Sequence, residues 1–152
     1  IIARAFSLKK YTDNNSFSDL TENDWCYEYV LAANQNGIIQ GVTENSFGKG
    51  MNITRQDMAT ILYRAFRLEG QTENTSFTDY NTVSEYAKLA VATLSNNGII
   101  NGMPDGGFAP TDNLTRAETV ILLSSIPFFT KKSFTAVARS NDVCISAAGS
   151  KP

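Results

Sequence analysis

Leu114-Thr115-Arg116-Ala117-Glu118 is the stretch that organises the rest of the chain. Thr-x-x-Glu ahead of an apolar run is a capping box: the hydroxyl accepts the amide of the third helical residue, and the carboxylate reaches back to the threonine amide. Thr115 and Glu118 are thereby explained by structure alone. Arg116 is not. It falls at the first helical position, a cation at the positive end of the helix dipole. Beside free backbone N–H groups it makes a site for an anion, most naturally a carboxylate or phosphate. A solvated arginine, or one paired with a nearby acid, is the plainer reading of a single occurrence.

The arrangement occurs twice. Sixty-one residues earlier stands Ile53-Thr54-Arg55-Gln56-Asp57, with threonine at the cap, Arg55 at the first position and a shorter, weaker capping acid. At the same offset Gly37-Ile38-Ile39-Gln40-Gly41 matches Gly98-Ile99-Ile100-Asn101-Gly102, and Phe47 matches Phe108. Upstream, Phe17-Ser18-Asp19 matches Phe77-Thr78-Asp79 at an offset of sixty, so one residue is gained between Asp79 and Tyr86. Residues 1–19 align with 61–79 without a gap, Arg4 opposite Arg64. Together with an opening that lacks Met and a basic segment, this reads as a chain that begins inside the second helix of an earlier repeat.

This pattern resembles the S-layer homology family: Phe-x-Asp, an aromatic-led helix, Gly-Ile-Ile-x-Gly, a loop with Phe-x-Pro, then Ile-Thr-Arg-Ala-Glu opening a second helix. The second copy follows it down to Pro104-Asp105-Gly106-Gly107-Phe108-Ala109-Pro110. The first departs at Phe47-Gly48-Lys49, which has no proline, and at Arg55-Gln56-Asp57. The resemblance implies an all-α fold of tandem two-helix repeats around a pseudo-threefold central helical bundle, with irregular connecting loops and ligand grooves between lobes. It also implies a non-catalytic module outside the cell, at the wall or surface layer. There it would bind an acidic secondary cell-wall polysaccharide, in many Gram-positive members one ending in a pyruvylated amino sugar. Self-assembly of a surface layer is the alternative. The expected division is 1–16 the end of a truncated repeat, 17–76 and 77–126 complete repeats, and 127–152 a tail.

Composition narrows the chemistry. The 152 residues are enough for one sizeable core, and 42% hydrophobic with 18% charged residues is ordinary for a folded chain. A net charge of −2 gives no electrostatic reason to expect nucleic acid or an anionic membrane. Histidine, the commonest general base and metal ligand, is absent. Cys26 and Cys144 have no metal-like spacing, and Cys26 lies on an apolar stripe as a core thiol would. No run of about 18 apolar residues is present to span a bilayer. A glycosidase would need two facing carboxylates, and the acids here read as caps or linker residues. No cofactor is expected.

Along the chain, the first helix of unit one is expected from Asn23 or Asp24 to Asn36, with Cys26, Tyr29, Val30 and Ala33 as its stripe. Ala87, Ala90, Val91 and Leu94 repeat that stripe. Gly37 and Gly98 sit where a helix C-terminus wants a left-handed residue. A second helix runs from Thr54 to about Leu68, its stripe Met58, Ile61, Leu62, Ala65 and Phe66; its counterpart from Thr115 stops at Pro127. Two-helix units of ~60 residues cannot bury their own apolar faces and must stack. Residues 1–8 are expected to be helical and docked against the helices from Thr54 and Thr115.

The candidate ligand contacts are Arg55, Arg116, Trp25, Tyr86, Asp19, Asp79, Gly41 and Gly102. Trp25 and Tyr86 align at the edge of the stripe; they suit the apolar face of a sugar ring or, equally, anchor the core. Asp19 and Asp79 can bind sugar hydroxyls or close turns through Asx geometry. Gly41 and Gly102 admit a ligand close to the backbone, and a left-handed turn explains them equally well. Asp105-Gly106-Gly107 with Asp112 has an echo of a calcium loop, but the acids lack that spacing and a tight turn fits better.

Overall fold

Helices form where the apolar stripes predict them. The computed structural model describes residues 8–9, 15–70, 75–115 and 117–119. Within these lie α1 (Tyr27–Gln35), α2 (Arg55–Ala65), a 3-10 turn at Tyr80–Thr82, and α3 (Glu85–Asn96). Residues 117–119 are again helical. The described residues contain no sheet, only isolated bridges pairing Thr43 with Ser46 and Thr54 with Asn113. The fold is all-α.

Two boundaries differ from the expected ones, each for a local reason. The helix expected from Asn23 or Asp24 begins only at Tyr27, because the Asp24 carboxylate accepts the Thr21 amide and hydroxyl at 2.9 and 3.1 Å and folds the lead-in into turns. The helix expected to reach Leu68 ends at Ala65, because Arg67 adopts φ 48° and reverses the chain. All three helices close in the same way. The amide two residues past the cap bonds back five positions, as Ile38 to Ala33, Leu68 to Tyr63 and Ile99 to Leu94. Gly37 and Gly98 supply the left-handed residue of α1 and α3, at φ 69° and 66°.

The main core lies between the repeats rather than within one. Ala59 and Leu62 of α2 pack against Val83, Ala87, Val91, Leu94, Ile99 and Phe108 of the second unit. Full burial of side chains such as Leu62, Val91 and Leu94 stabilises the fold by about 1.5–3 kcal/mol each. A smaller cluster of Phe17, Leu20, Tyr27, Val30 and Leu31 serves the first unit. In a third, Ala33, Ile38 and Ala65 receive Leu8 and Ile61. Leu8 thus docks beside α1 and α2; residues 1–7, and the helix expected there, lie outside the described residues. So do Cys144 and the end of the helix from Thr115.

The repeat is visible in the hydrogen bonds as well as in the sequence. Asp19 accepts the amides of Phe47, Gly48 and Lys49 at 2.8–3.0 Å, and Asp79 those of Phe108 and Ala109 at 2.7 and 2.8 Å. Phe17 sits 5.9 Å from Phe47 and Phe77 sits 5.3 Å from Phe108, centroid to centroid. Each unit therefore ties its Phe-x-Asp segment onto its own long loop.

Candidate functional site

The loop of residues 39–53 stands off the outer face of α2 and leaves a cleft of about 580 Å³. Helix α2 presents Asp57, Thr60, Ile61 and Arg64 to it, spaced i, i+3, i+4, i+7 on one stripe, while Ala59 and Leu62 face the core. The loop contributes Val42, Phe47, Gly48 and Met51, and the second unit contributes Tyr86. The cleft is thus an inter-repeat feature, apolar along the loop and polar at both ends of the helical stripe.

Asp19 builds the loop wall. Beyond its three amides it accepts the Ser46 hydroxyl at 3.1 Å, and these donors, led by the Phe47 and Lys49 amides, hold its carboxyl well below the usual carboxylate range. Lys49 pairs with Asp24, depressing that carboxyl and raising the ammonium. Asp79 repeats the loop-closing role, and the Asp105 carboxylate accepts the Gly107 amide at 2.9 Å, which makes the 103–107 segment a tight turn. Among the described residues no acidic cluster suits a metal ion.

Gly41 and Gly102 are not in the left-handed region. They are glycines because the loop closes on them. A Cβ on Gly41 would lie 2.3 Å from the Ser46 carbonyl and 2.7 Å from the Phe17 ring; on Gly102 it would lie 2.7 Å from the Gly107 carbonyl and 2.9 Å from Phe77. The left-handed explanation for this pair gives way to steric closure.

Arg55 is only 7% exposed. Its Nε donates to the Phe108 carbonyl at 2.7 Å, Nη1 to Glu118 at 3.0 Å and Nη2 to the Asn101 carbonyl at 3.4 Å, and the guanidinium lies 5.2 Å from the Phe108 ring centroid. The N-terminal amides of α2 are taken as well: Arg55 donates to the Asp112 carbonyl and Gln56 to that of Pro110, both at 3.0 Å. The anion that a cation at this helix end calls for is Glu118, of the same chain. Arg116, the equivalent arginine of the next unit, lies outside the described residues. Its neighbours form the expected capping box: Thr115 donates its amide to Glu118 at 2.9 Å, and the Glu118 amide donates to the Thr115 hydroxyl at 3.2 Å. The Thr115 hydroxyl, then its amide and the Arg55 charge, keep the Glu118 carboxyl below its ordinary value.

Both aromatics are exposed, Trp25 at 89% and Tyr86 at 56%, so neither anchors the core. Tyr86 stands at the cleft, its hydroxyl donating to Asp57 at 2.7 Å. Burial and then that bond push its phenol up to about 12. Trp25 does not line the cleft. The residue that sequence reasoning passed over is Arg64. The only signal for it was its identity with Arg4 across the repeat alignment.

Comparison with known proteins agrees with this organisation. The S-layer homology domain profile matches residues 16–59 and 76–120, together more than half of the chain. An amylopullulanase of Thermoanaerobacterium thermosulfurigenes is 36% identical over 81% of the chain, and the exoglucanase XynX of Acetivibrio thermocellus 35% over 81%. A surface-layer 125 kDa protein of Lysinibacillus sphaericus is 32% identical over 82%. The matched stretch spans only 7%, 12% and 11% of those three proteins. Two profile matches, each spanning one Phe-x-Asp segment, its loop and its Thr-Arg helix start, fall on the two units whose hydrogen bonds repeat one another, and the chain belongs to the S-layer homology domain family.

Proposed function

We propose that this chain is a non-catalytic anchoring module at the cell surface that holds its parent protein to an acidic, pyruvylated wall polysaccharide through its inter-repeat cleft. The observation that carries the reading is the cleft itself. It joins an exposed aromatic ring from one unit to a helical stripe of the other and has an arginine at one end. Sugar rings stack their C–H faces on such aromatics, and a pyruvate ketal offers the carboxylate that an arginine receives. That two carbohydrate-degrading enzymes and a surface-layer protein share this short stretch supports a portable tether rather than a shared reaction. Trp25, the counterpart of Tyr86, would serve the equivalent cleft on the other side of unit one. Three such units closing about a central bundle, with boundaries near 17–76 and 77–126, would multiply modest affinities into firm retention.

Sedimentation of the chain with purified wall polysaccharide, before and after mild acid removal of its ketals, tests the reading. Binding should be strong before and largely lost after. Equal binding to both would set acid recognition aside. The exposed Val42 and Met51 favour self-association as a second reading, and a concentration-dependent oligomer in the absence of polysaccharide would point there instead.

A further inference from the structure

We infer that Arg64, rather than Arg55, is the group on α2 that receives the ligand's carboxylate, and that Arg55 is a positioning residue. The inference rests on the acidic-glycan reading and says which cation carries it. The two arginines stand on one helix in opposite circumstances. Arg55 is buried, and each of its three nitrogens donates to an acceptor within the chain. A carboxylate arriving there would have to displace Glu118 or a backbone carbonyl, and so recover little. Arg64 is half-buried and lines the cleft, and among the described residues neither a carboxylate nor any other acceptor engages its guanidinium.

The surroundings fit a carboxylated sugar. Arg64 follows Asp57 by seven residues on the same stripe, about 10 Å along the axis, which separates the two charges by roughly the reach of a short oligosaccharide. The Asp57 carboxylate is already engaged by the Thr54 and Tyr86 hydroxyls, so the two ends differ in character: one a cation open to an anion, the other an acid holding an aromatic ring. Between them the apolar side chains of Val42, Met51 and Ile61 line the cleft. A ligand with its carboxylate at Arg64 and a pyranose face toward Tyr86 satisfies both ends, and the planar guanidinium can grip the carboxylate through two hydrogen bonds.

The test uses the full chain, calorimetric titration, and two probes: a pyruvylated N-acetylhexosamine methyl glycoside and the same glycoside without its ketal. The parent should prefer the acidic probe. Arg64→Gln should lower affinity for the acidic probe on the order of 10- to 100-fold, leaving the ketal-free probe and the thermal midpoint unchanged. Arg64→Lys keeps the charge but not the fork and should fall between, and it decides the matter should the glutamine variant not fold. An Arg64→Gln chain that keeps the full acid preference overturns the inference while the glycan reading stands; Arg64 is then a solvated cation at a helix C-terminus. A parent with no preference between the probes overturns the acidic-glycan reading, and this inference with it.

Discussion

The two Thr-Arg segments carry capping acids of different length, and each acid holds a different neighbour. Glu118 is long enough to return one oxygen to the Thr115 amide and offer the other to Arg55 of the preceding unit, at 2.9 and 3.0 Å. Asp57 sends one oxygen to the hydroxyl of its own threonine and takes the Tyr86 hydroxyl of the following unit with the other. The glutamate closes a helix and locks the interface from behind. The aspartate presents an aromatic ring at the cleft. Two copies of one motif have thus separated into a clamp and a platform holder.

Removing the clamp should give the largest effect. Arg55→Ala leaves the Phe108 and Asn101 carbonyls and one oxygen of Glu118 without their donor, and should lower the unfolding free energy by about 2–3 kcal/mol in a urea titration. Asp57→Ala removes only a cap and the Tyr86 tether, and should cost about 1 kcal/mol. If the two variants unfold together, the division between clamp and platform holder is wrong.

Much of this was legible in the sequence. The repeat, the helices, the Thr115–Glu118 box and the glycine C-caps follow from spacing and local chemistry, which need no knowledge of distant partners. Arg55 was legible only as a cation in need of an anion. That the anion is Glu118, sixty-three residues on, is set by how the units stack, which periodicity does not encode. Asp19 shows the same limit: the sequence suggests a local Asx turn, whereas the three amides it accepts lie twenty-eight to thirty residues away, across a loop. Arg64 hid in plain view because an arginine in a last helical turn is ordinary.

Acid should sharpen the difference between the loops of the two units. Asp19 holds its loop through four donors and Asp79 through two, and the Asp19 carboxyl is depressed on folding. A depressed carboxylate contributes stability that is fully present above its unfolded value, about 4, and is lost as the pH falls through its folded value. Stability should therefore decline below about pH 4, and Asp19→Asn should flatten that decline while lowering stability at neutral pH. An unchanged acid limb, followed by circular dichroism from pH 7 to 2, would show that other carboxylates govern it.

The smallest expected effect, that of Ala109→Gly, lies where the two loops pass the same corner. Gly48 and Ala109 are equivalent, and both are left-handed, at φ 86° and 54°. Glycine occupies that region at no steric cost, whereas alanine carries a Cβ penalty there. Ala109→Gly should therefore stabilise by about 0.5 kcal/mol, the relief of strain partly offset by the greater freedom of glycine in the unfolded chain. The reverse exchange is not symmetrical. A Cβ on Gly48 would meet Val42 Cγ1 at 2.9 Å and Met51 Sδ at 3.1 Å, so Gly48→Ala should cost about 1–2 kcal/mol. Because Val42 and Met51 line the cleft, the same substitution should push the loop outward and weaken glycan binding, whereas Ala109→Gly should leave binding untouched. Thermal melts of the two variants beside a binding assay check both halves. A Gly48→Ala chain as stable as the parent would mean that the side chains yield without strain, and the corner would then not hold the shape of the cleft.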